Sequence, residues 1–223
     1  MFASSQPRIG AKTVTDKVHF SDGGRNRATN DRSPHAHRRW TDVLMHRWPT
    51  ALGIAIAALT AFGLRIDAEE VSFLSALVVL MPLVYIGAAV VDRRRFAWVV
   101  LLAAITPLVL IKVLDLGINL HPAFLLAALG FLALAAARGR LRGPSGVPLQ
   151  AAGMLVFGAG MLVALYVEPV LGGMLVAIGL LGHAAWDAVH YVRNRVVTRS
   201  YAEFCAVLDL LVGGAVLFVL FMT

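Results

Sequence analysis

The chain has 223 residues, of which 59% are hydrophobic and 15% are charged, and its formal net charge is +7. Soluble domains carry more charge and alternate apolar with polar residues, so this composition excludes the soluble class. The mean hydropathy of +0.76, together with unbroken apolar runs of roughly 20 residues, predicts a polytopic all-α integral membrane protein. The single cysteine, Cys205, excludes an intrachain disulfide.

The first region in the chain is a polar tail, residues 1–46. It is rich in Ser, Asn, Arg, Asp and Gly and contains few large apolar residues, so it cannot bury enough surface to offset its chain entropy. We therefore predict a disordered basic tail at 1–46 and a transmembrane helical domain at 47–223. The tail's histidines and arginines near His35 and His46 indicate an interfacial stretch, and a metal-binding His tract is the alternative.

Apolar runs fill the rest of the chain and predict a bundle of about seven transmembrane helices. Prolines inside these runs are tolerated because neighbouring helices satisfy the freed carbonyl groups. Glycines concentrated in the fifth and sixth runs favour close packing between membrane helices. The predicted spans are 49–66, 71–91, 96–117, 121–138, 147–167, 169–191 and 201–222.

The connections between the spans alternate in charge. Those at 92–95, 138–142 and 193–199 are strongly basic, whereas the intervening ones are acidic or weakly charged. Short basic loops remain in the cytoplasm, so the N-terminus is predicted to lie inside and the C-terminus outside. The preference for Arg over Lys, with abundant Ala, Val, Leu and Gly, is typical of a high-GC bacterium, and we expect a bacterial inner (plasma) membrane location.

The positive charge does not indicate a nucleic-acid partner, because no basic face interleaved with aromatic residues accompanies it. The expected partner is the lipid bilayer, and a homo-oligomer or a second membrane protein remains open. Aromatic side chains near the span ends are predicted to anchor the helices at the membrane interfaces. These side chains are Tyr85, Trp98, Trp186, Tyr191 and Tyr201.

One group of ionisable residues lies near the cytoplasmic ends of the last two spans. In the sixth span, His183, Asp187 and His190 fall within an arc of about 60° on one helix face. Counting back from the connecting loop places Glu203 level with His190 and Asp209 level with His183. Ionisable residues inside a membrane are costly and suggest function by default.

Three interpretations of this group remain open. Imidazoles and carboxylates are ligands of zinc, iron and manganese, so His183, Asp187, His190, Glu203 and Asp209 could bind a divalent metal. Alternatively, His183 with Asp209, and His190 with Glu203, form hydrogen-bonded pairs that hold the two helices together. A proton or ion relay is the third interpretation. The spacing matches neither the zincin motif nor the di-iron bundle motif.

A second polar group lies at the predicted outer face. Lys112 and Asp115 are three residues apart on a helix and can pair. Because most members lie at span ends that water reaches, a structural role is the simpler interpretation. The other members are Asn119, His121, Tyr166 and Glu168.

The stretch Gly182-His183-Ala184-Ala185-Trp186-Asp187-x-x-His190, with the later Ala202-Glu203-Phe204-Cys205, resembles a pattern in small multi-pass bacterial membrane proteins of unassigned function. The resemblance covers the last third of the chain and implies a membrane bundle without implying an activity. Ceramidase-like membrane hydrolases also have seven spans, but they carry His-x-x-x-His where this chain has His183-x-x-x-Asp187.

Two functions follow as hypotheses. The first is a scaffold or transport-type component whose polar residues are structural. The second is a metal-dependent membrane enzyme that acts on a lipid or isoprenoid substrate at the cytoplasmic leaflet. An enzyme needs an open coordination position and a cavity that the substrate can reach, whereas a scaffold needs neither.

Overall fold

The computed structural model describes the backbone of residues 35–142 and 146–222, and side chains from Arg47 onward. The described residues form seven helices and no strand, so the all-α prediction is confirmed for this part of the chain. The helices are α1 (His35–Ala61), α2 (Ala68–Val91), α3 (Phe96–Val113), α4 (His121–Ala137), α5 (Val147–Ala164), α6 (Pro169–Arg193) and α7 (Arg199–Met222).

Five of these helices are long and apolar enough to cross a membrane, namely α2, α3, α5, α6 and α7. The α4 helix is apolar but has only 17 residues. The α1 helix begins at His35, within the predicted tail, and contains Pro49. Residues 1–34 lie outside the described residues, so the predicted disorder of the tail remains a prediction.

Several helices end earlier than the hydropathy predicts. The α1 helix ends at Ala61 rather than at 66, and α3 ends at Val113 rather than at 117. The residues that follow include Gly63 with φ of 80° and Gly117 with φ of 62°, both in the left-handed region. Glycine adopts this conformation without steric cost, and it ends a helix even where the sequence stays apolar.

The α2 helix lies at the centre of the bundle. It contacts α3, α4, α5 and α6, and it is buried almost all round from Val71 to Val90. Its sequence has no polar face, and a helix that is hydrophobic all round is expected to be enclosed by others. The α6 and α7 helices form a closely packed hairpin, and α1 packs on α7. Any polar side chain on α2 must therefore find its partner inside the protein.

Polar side chains define the ends of the central helices. The Asp67 carboxylate accepts a hydrogen bond from the backbone N–H of Glu70 at 2.9 Å and caps α2, and Glu168 accepts one from Leu171 N–H at 3.3 Å and caps α6. At their other ends, α2 and α6 stop at Asp92 and Asn194, which adopt left-handed backbone conformations. Such caps satisfy terminal backbone groups that the helix itself leaves unpaired.

Candidate functional site

Three of the five residues predicted to form a polar group meet inside the bundle. The Nδ1 atom of His183 lies 2.9 Å from Asp209 Oδ2 and 3.1 Å from Asp187 Oδ2. All three side chains have 0% exposure, and one ligand atom from each lies within 4.8 Å of the others. The prediction that His183 lies at the same depth as Asp209 agrees with this contact. We call His183, Asp187 and Asp209 the buried cluster.

Tyr85 of α2 completes this cluster. Its hydroxyl donates a short hydrogen bond to Asp187 Oδ1, and its side chain is fully buried. The prediction that Tyr85 and Tyr201 anchor the helices at the membrane interface is therefore wrong, because both are 0% exposed. A buried tyrosine needs a partner for its hydroxyl, and on the central helix the only partners are other protein groups.

Two atoms of the buried cluster have no hydrogen-bond partner among the described residues. They are Nε2 of His183 and Oδ1 of Asp209. Leaving a buried polar atom unsatisfied costs about 1–3 kcal/mol, so the cluster is not an optimised hydrogen-bond network. Such atoms mark positions where a proton, a water molecule or a metal ion would find a partner.

His190 lies outside the buried cluster. Its Nδ1 lies 2.9 Å from the carbonyl oxygen of Trp186, which can only accept, so Nδ1 is the donor. Its Nε2 lies 3.1 Å from the amide nitrogen of Gln150 on α5. In the neutral tautomer Nε2 accepts this hydrogen bond, and Oε1 of Gln150 is then buried without a partner among the residues that the structure describes. The expected pair between His190 and Glu203 is not formed.

Glu203 also points elsewhere, toward α1. Its carboxylate accepts a short hydrogen bond from the Thr50 hydroxyl and lies 3.4 Å from Nη1 of Arg47. The side chain of Glu203 is only 15% exposed, whereas that of Arg47 is 67% exposed. This contact fastens the first helix to the last one and takes Glu203 out of any common ligand set with His183.

The outer polar group forms two separate contacts. Lys112 does not pair with Asp115, because its ammonium group lies 2.6 Å from Glu69 and 3.3 Å from Glu70 at the start of α2. These acidic side chains come from another helix and reach the lysine across the α2–α3 contact. The pair joins α3 to α2 at the end of the bundle opposite to Arg193.

His121 connects α4 to α2. Its Nδ1 donates to Asn119 Oδ1 at 2.6 Å, and its Nε2 lies 2.9 Å from the Ser75 hydroxyl. This order of serine, imidazole and amide has the spacing of a nucleophile, a base and an orienting group. Ser75, however, has 0% exposure and also bonds to the carbonyl of Ser72 in its own helix. The serine is therefore closed to a substrate, although Asn119 and His121 line a cavity of about 200 Å³, and the arrangement forms an interhelical contact.

An apolar cavity of about 360 Å³ lies beside the buried cluster. Residues of α1, α2, α3, α6 and α7 line it, and Asp209 is the one carboxylate among them. Its walls include Leu52, Trp98 and Leu208. The volume is in the range of small-molecule sites, and the lining suits a hydrocarbon chain. An apolar ligand in this cavity would lie against the cluster at Asp209.

The chemistry open to the buried cluster is metal binding or proton exchange. Tetrahedral ligands with bonds of about 2.0–2.1 Å lie about 3.3 Å apart, a few tenths of an ångström more than the observed contacts to Nδ1. One imidazole and two carboxylates are a ligand set for zinc, iron or manganese. Tyr85 would then orient Asp187 from behind, as outer partners of metal ligands do. His190 and Glu203 would not take part.

The comparisons with known proteins assign no activity to this site. The chain matches no protein-family model, and no curated protein or solved structure shows significant similarity to it. The fold and the site therefore define only a class: an all-helical protein with five helices long and apolar enough to cross a membrane, and a buried polar cluster between α2, α6 and α7.

Ser75, Tyr85 and Gln150 are among the residues whose part in these contacts was not predicted from the sequence. Ser75 and Tyr85 are polar side chains on α2, and a helix without a polar face is a signal that each of them meets a partner inside the bundle. Gln150 lies in an apolar run one turn after Gly146, and an amide in such a run carries the same signal.

Proposed function

We propose that this chain is a bacterial inner-membrane protein in which all seven helices cross the bilayer, with the N-terminal tail in the cytoplasm and the C-terminus outside. The alternation of basic and non-basic connections supports this topology, since short basic loops remain in the cytoplasm. The α1 and α4 helices count as spans here because α1 packs along the membrane helix α7, and α4 along α2. An apolar helix of 17 residues is at the lower end of the length that spans a bilayer.

Reporter fusions test the topology. A periplasm-dependent reporter fused after Thr223 should be active, whereas the same reporter inserted within 92–95, 138–142 or 193–199 should be inactive. The physical reason is that these three basic connections resist transfer across the membrane. A matched cytoplasm-dependent reporter should give the reverse pattern at each site. An inactive C-terminal fusion of a well-expressed protein would contradict the odd number of spans.

We further propose that the protein acts as a scaffold or transport-type component whose polar residues fix the arrangement of its helices. The observation that supports this function is that six polar contacts join six different pairs of helices. These contacts are α1–α7 through Glu203, α2–α3 through Lys112, α2–α4 through Ser75, α2–α6 through Tyr85, α5–α6 through Gln150 and α6–α7 through Asp209. Interhelical hydrogen bonds in membranes are worth about 0.6 kcal/mol on average, so a set of them stabilises one packing without any single dominant contact.

A metal-dependent enzyme acting on a lipid or isoprenoid is the alternative function. Two observations favour it: the three converging ligand residues, and the apolar cavity that reaches Asp209. In this mechanism His183, Asp187 and Asp209 would hold the ion, and the cavity would hold the hydrocarbon part of the substrate. The ion would supply a Lewis acid to a substrate held in the cavity.

Metal analysis of the purified protein separates the two functions. For a scaffold we expect substoichiometric zinc, iron and manganese in protein purified without chelators, together with a thermal midpoint that added metal does not change. A ligand that binds only the folded state stabilises it by about 2.7 kcal/mol at 100 times its dissociation constant. One bound ion per chain, together with a thermal midpoint that rises when metal is added, would contradict the scaffold and support the enzyme.

A further inference from the structure

A second cavity, of about 330 Å³, lies at the end of the bundle where α2 and α6 finish and α5 begins. This end is the cytoplasmic one in the proposed topology. Three arginines line the cavity: Arg94 after α2, Arg193 at the end of α6, and Arg195 in the following loop. None of the three has an ion-pair partner among residues 47–142 and 146–222. Asp92, the one carboxylate of the lining, lies 3.4 Å from Arg140.

The inner wall of the cavity is polar and buried. Gln150 and His190 both line it, with exposures of 1% and 5%. The amide nitrogen of Gln150 lies within hydrogen-bond distance of His190, but its Oε1 has no hydrogen-bond partner among residues 47–142 and 146–222. The C-termini of α2 and α6 lie here, and their helix dipoles stabilise basic residues, which accounts for part of the positive charge. The helix C-termini do not explain why the buried Oε1 of Gln150 lacks a donor.

The start of α5 adds partial positive charge, although Pro148 supplies no N–H group there. Its N-cap is Gly146, which makes no side-chain capping hydrogen bond, and both Gly146 and Leu149 line the cavity. The N-terminus of a helix carries partial positive charge and unpaired N–H groups, and it favours anions. The cavity thus combines guanidinium groups and a helix N-terminus with one buried acceptor that needs a donor.

We propose that this cavity binds a phosphate ester that carries a neighbouring hydroxyl group. The guanidinium groups receive the phosphate oxygens, and the ligand hydroxyl donates to Oε1 of Gln150. Guanidinium groups match phosphate oxygens in bidentate geometry. A phosphoglycerol lipid headgroup has this chemistry and is found at this depth of a bilayer, where basic pockets between helices bind anionic headgroups. A soluble phosphate ester with a hydroxyl group shares the same chemistry.

The test uses the purified full-length protein in a neutral detergent, where binding does not depend on its orientation in a membrane. Thermal stability and native mass spectrometry report binding of four compounds: dioctanoyl phosphatidylglycerol, dioctanoyl phosphatidylethanol, dioctanoyl phosphatidylcholine and glycerol 3-phosphate. The first two lipids have the same charge, but only phosphatidylglycerol offers a hydroxyl. We expect it to bind about five-fold more tightly than phosphatidylethanol, the effect of one hydrogen bond. Stabilisation by glycerol 3-phosphate at equal concentration would support the site and assign it to a soluble ligand.

Matched arginine variants provide the second part of the test. Replacing both Arg94→Gln and Arg195→Gln should weaken phosphatidylglycerol binding by about ten-fold or more, since each arginine near the phosphate contributes to binding. The control pair Arg93→Gln and Arg95→Gln removes the same charge from the neighbouring loop outside the cavity lining, and we expect a change of about two-fold or less. Equal affinity for phosphatidylglycerol and phosphatidylethanol in the wild-type protein, or an equal loss in both variant pairs, would overturn the proposal.

Discussion

Replacing His183 with leucine should lower the free energy of unfolding by about 3–5 kcal/mol, the cost of removing one partner from a buried ionic group. His183 is the common partner of two carboxylates, at 2.9 Å and 3.1 Å. Its loss removes the hydrogen bond that joins Asp209 to α6 and the one that joins His183 to Asp187, while the bond from Tyr85 to Asp187 remains. Asp209→Leu should cost less, because the contact between His183 and Asp187 survives.

The double variant His183→Leu with Asp209→Leu decides between the two functions. In a structural network, the second replacement removes the stranded carboxylate, so the double variant should be more stable than His183→Leu alone. Thr106→Val is a matched control, because that hydroxyl bonds only to the carbonyl of Leu102 in its own helix. Thermal or denaturant unfolding in detergent gives the stabilities, and elemental analysis gives bound metal.

If the protein is a metal-dependent enzyme, we expect different results for the same variants. Each single replacement would then remove a ligand, and the bound metal would fall in both. The double variant would show no recovery, since neither replacement restores a coordination site. Recovery in the double variant of a metal-free protein would exclude the enzyme, whereas stoichiometric metal lost in both single variants would exclude the scaffold.

The helical class could be predicted from the sequence because it depends on composition and on the length of the apolar runs. The depth of His183 relative to Asp209 could also be predicted. In a hairpin of two antiparallel helices, residues equally far from the loop along the chain lie at the same depth. The contact between them at 2.9 Å agrees with that count. Such predictions succeed where the helical periodicity and a single short loop determine the relative positions of two residues.

The partners of His190 and Glu203 could not be predicted in the same way. Depth does not reveal which neighbour a helix face meets. Gln150 lies 40 residues from His190 along the chain, and Thr50 lies 153 residues from Glu203. Tyr85 was misplaced for a related reason: proximity to a predicted span end does not distinguish a lipid interface from an enclosed central helix. Only the packing of α2 inside the bundle decides that the Tyr85 hydroxyl meets Asp187 rather than water.

The glycines of the sixth span show how closely that packing depends on side-chain size. A Cβ atom at Gly172 would lie 2.8 Å from the carbonyl oxygen of Ala164 and 2.9 Å from Cγ1 of Val71. The first contact is with the backbone of α5, so it can be relieved only by moving one helix away from the other. Small residues at such crossings are what permit membrane helices to approach closely.

Gly172→Ala should therefore destabilise the protein by about 1–3 kcal/mol, the usual cost of overpacking. Gly160→Ala is the matched control, because Gly160 lies in α5 and a Cβ there would meet nothing within 4 Å. Alanine is favoured over glycine inside a helix by up to about 1 kcal/mol, so the control should be neutral or stabilising. Unfolding experiments on both variants in the same detergent show whether each replacement lowers or raises the free energy of unfolding. Equal stability of the two variants would contradict the close α5–α6 contact at Gly172, on which the position of α6 and its buried cluster depends.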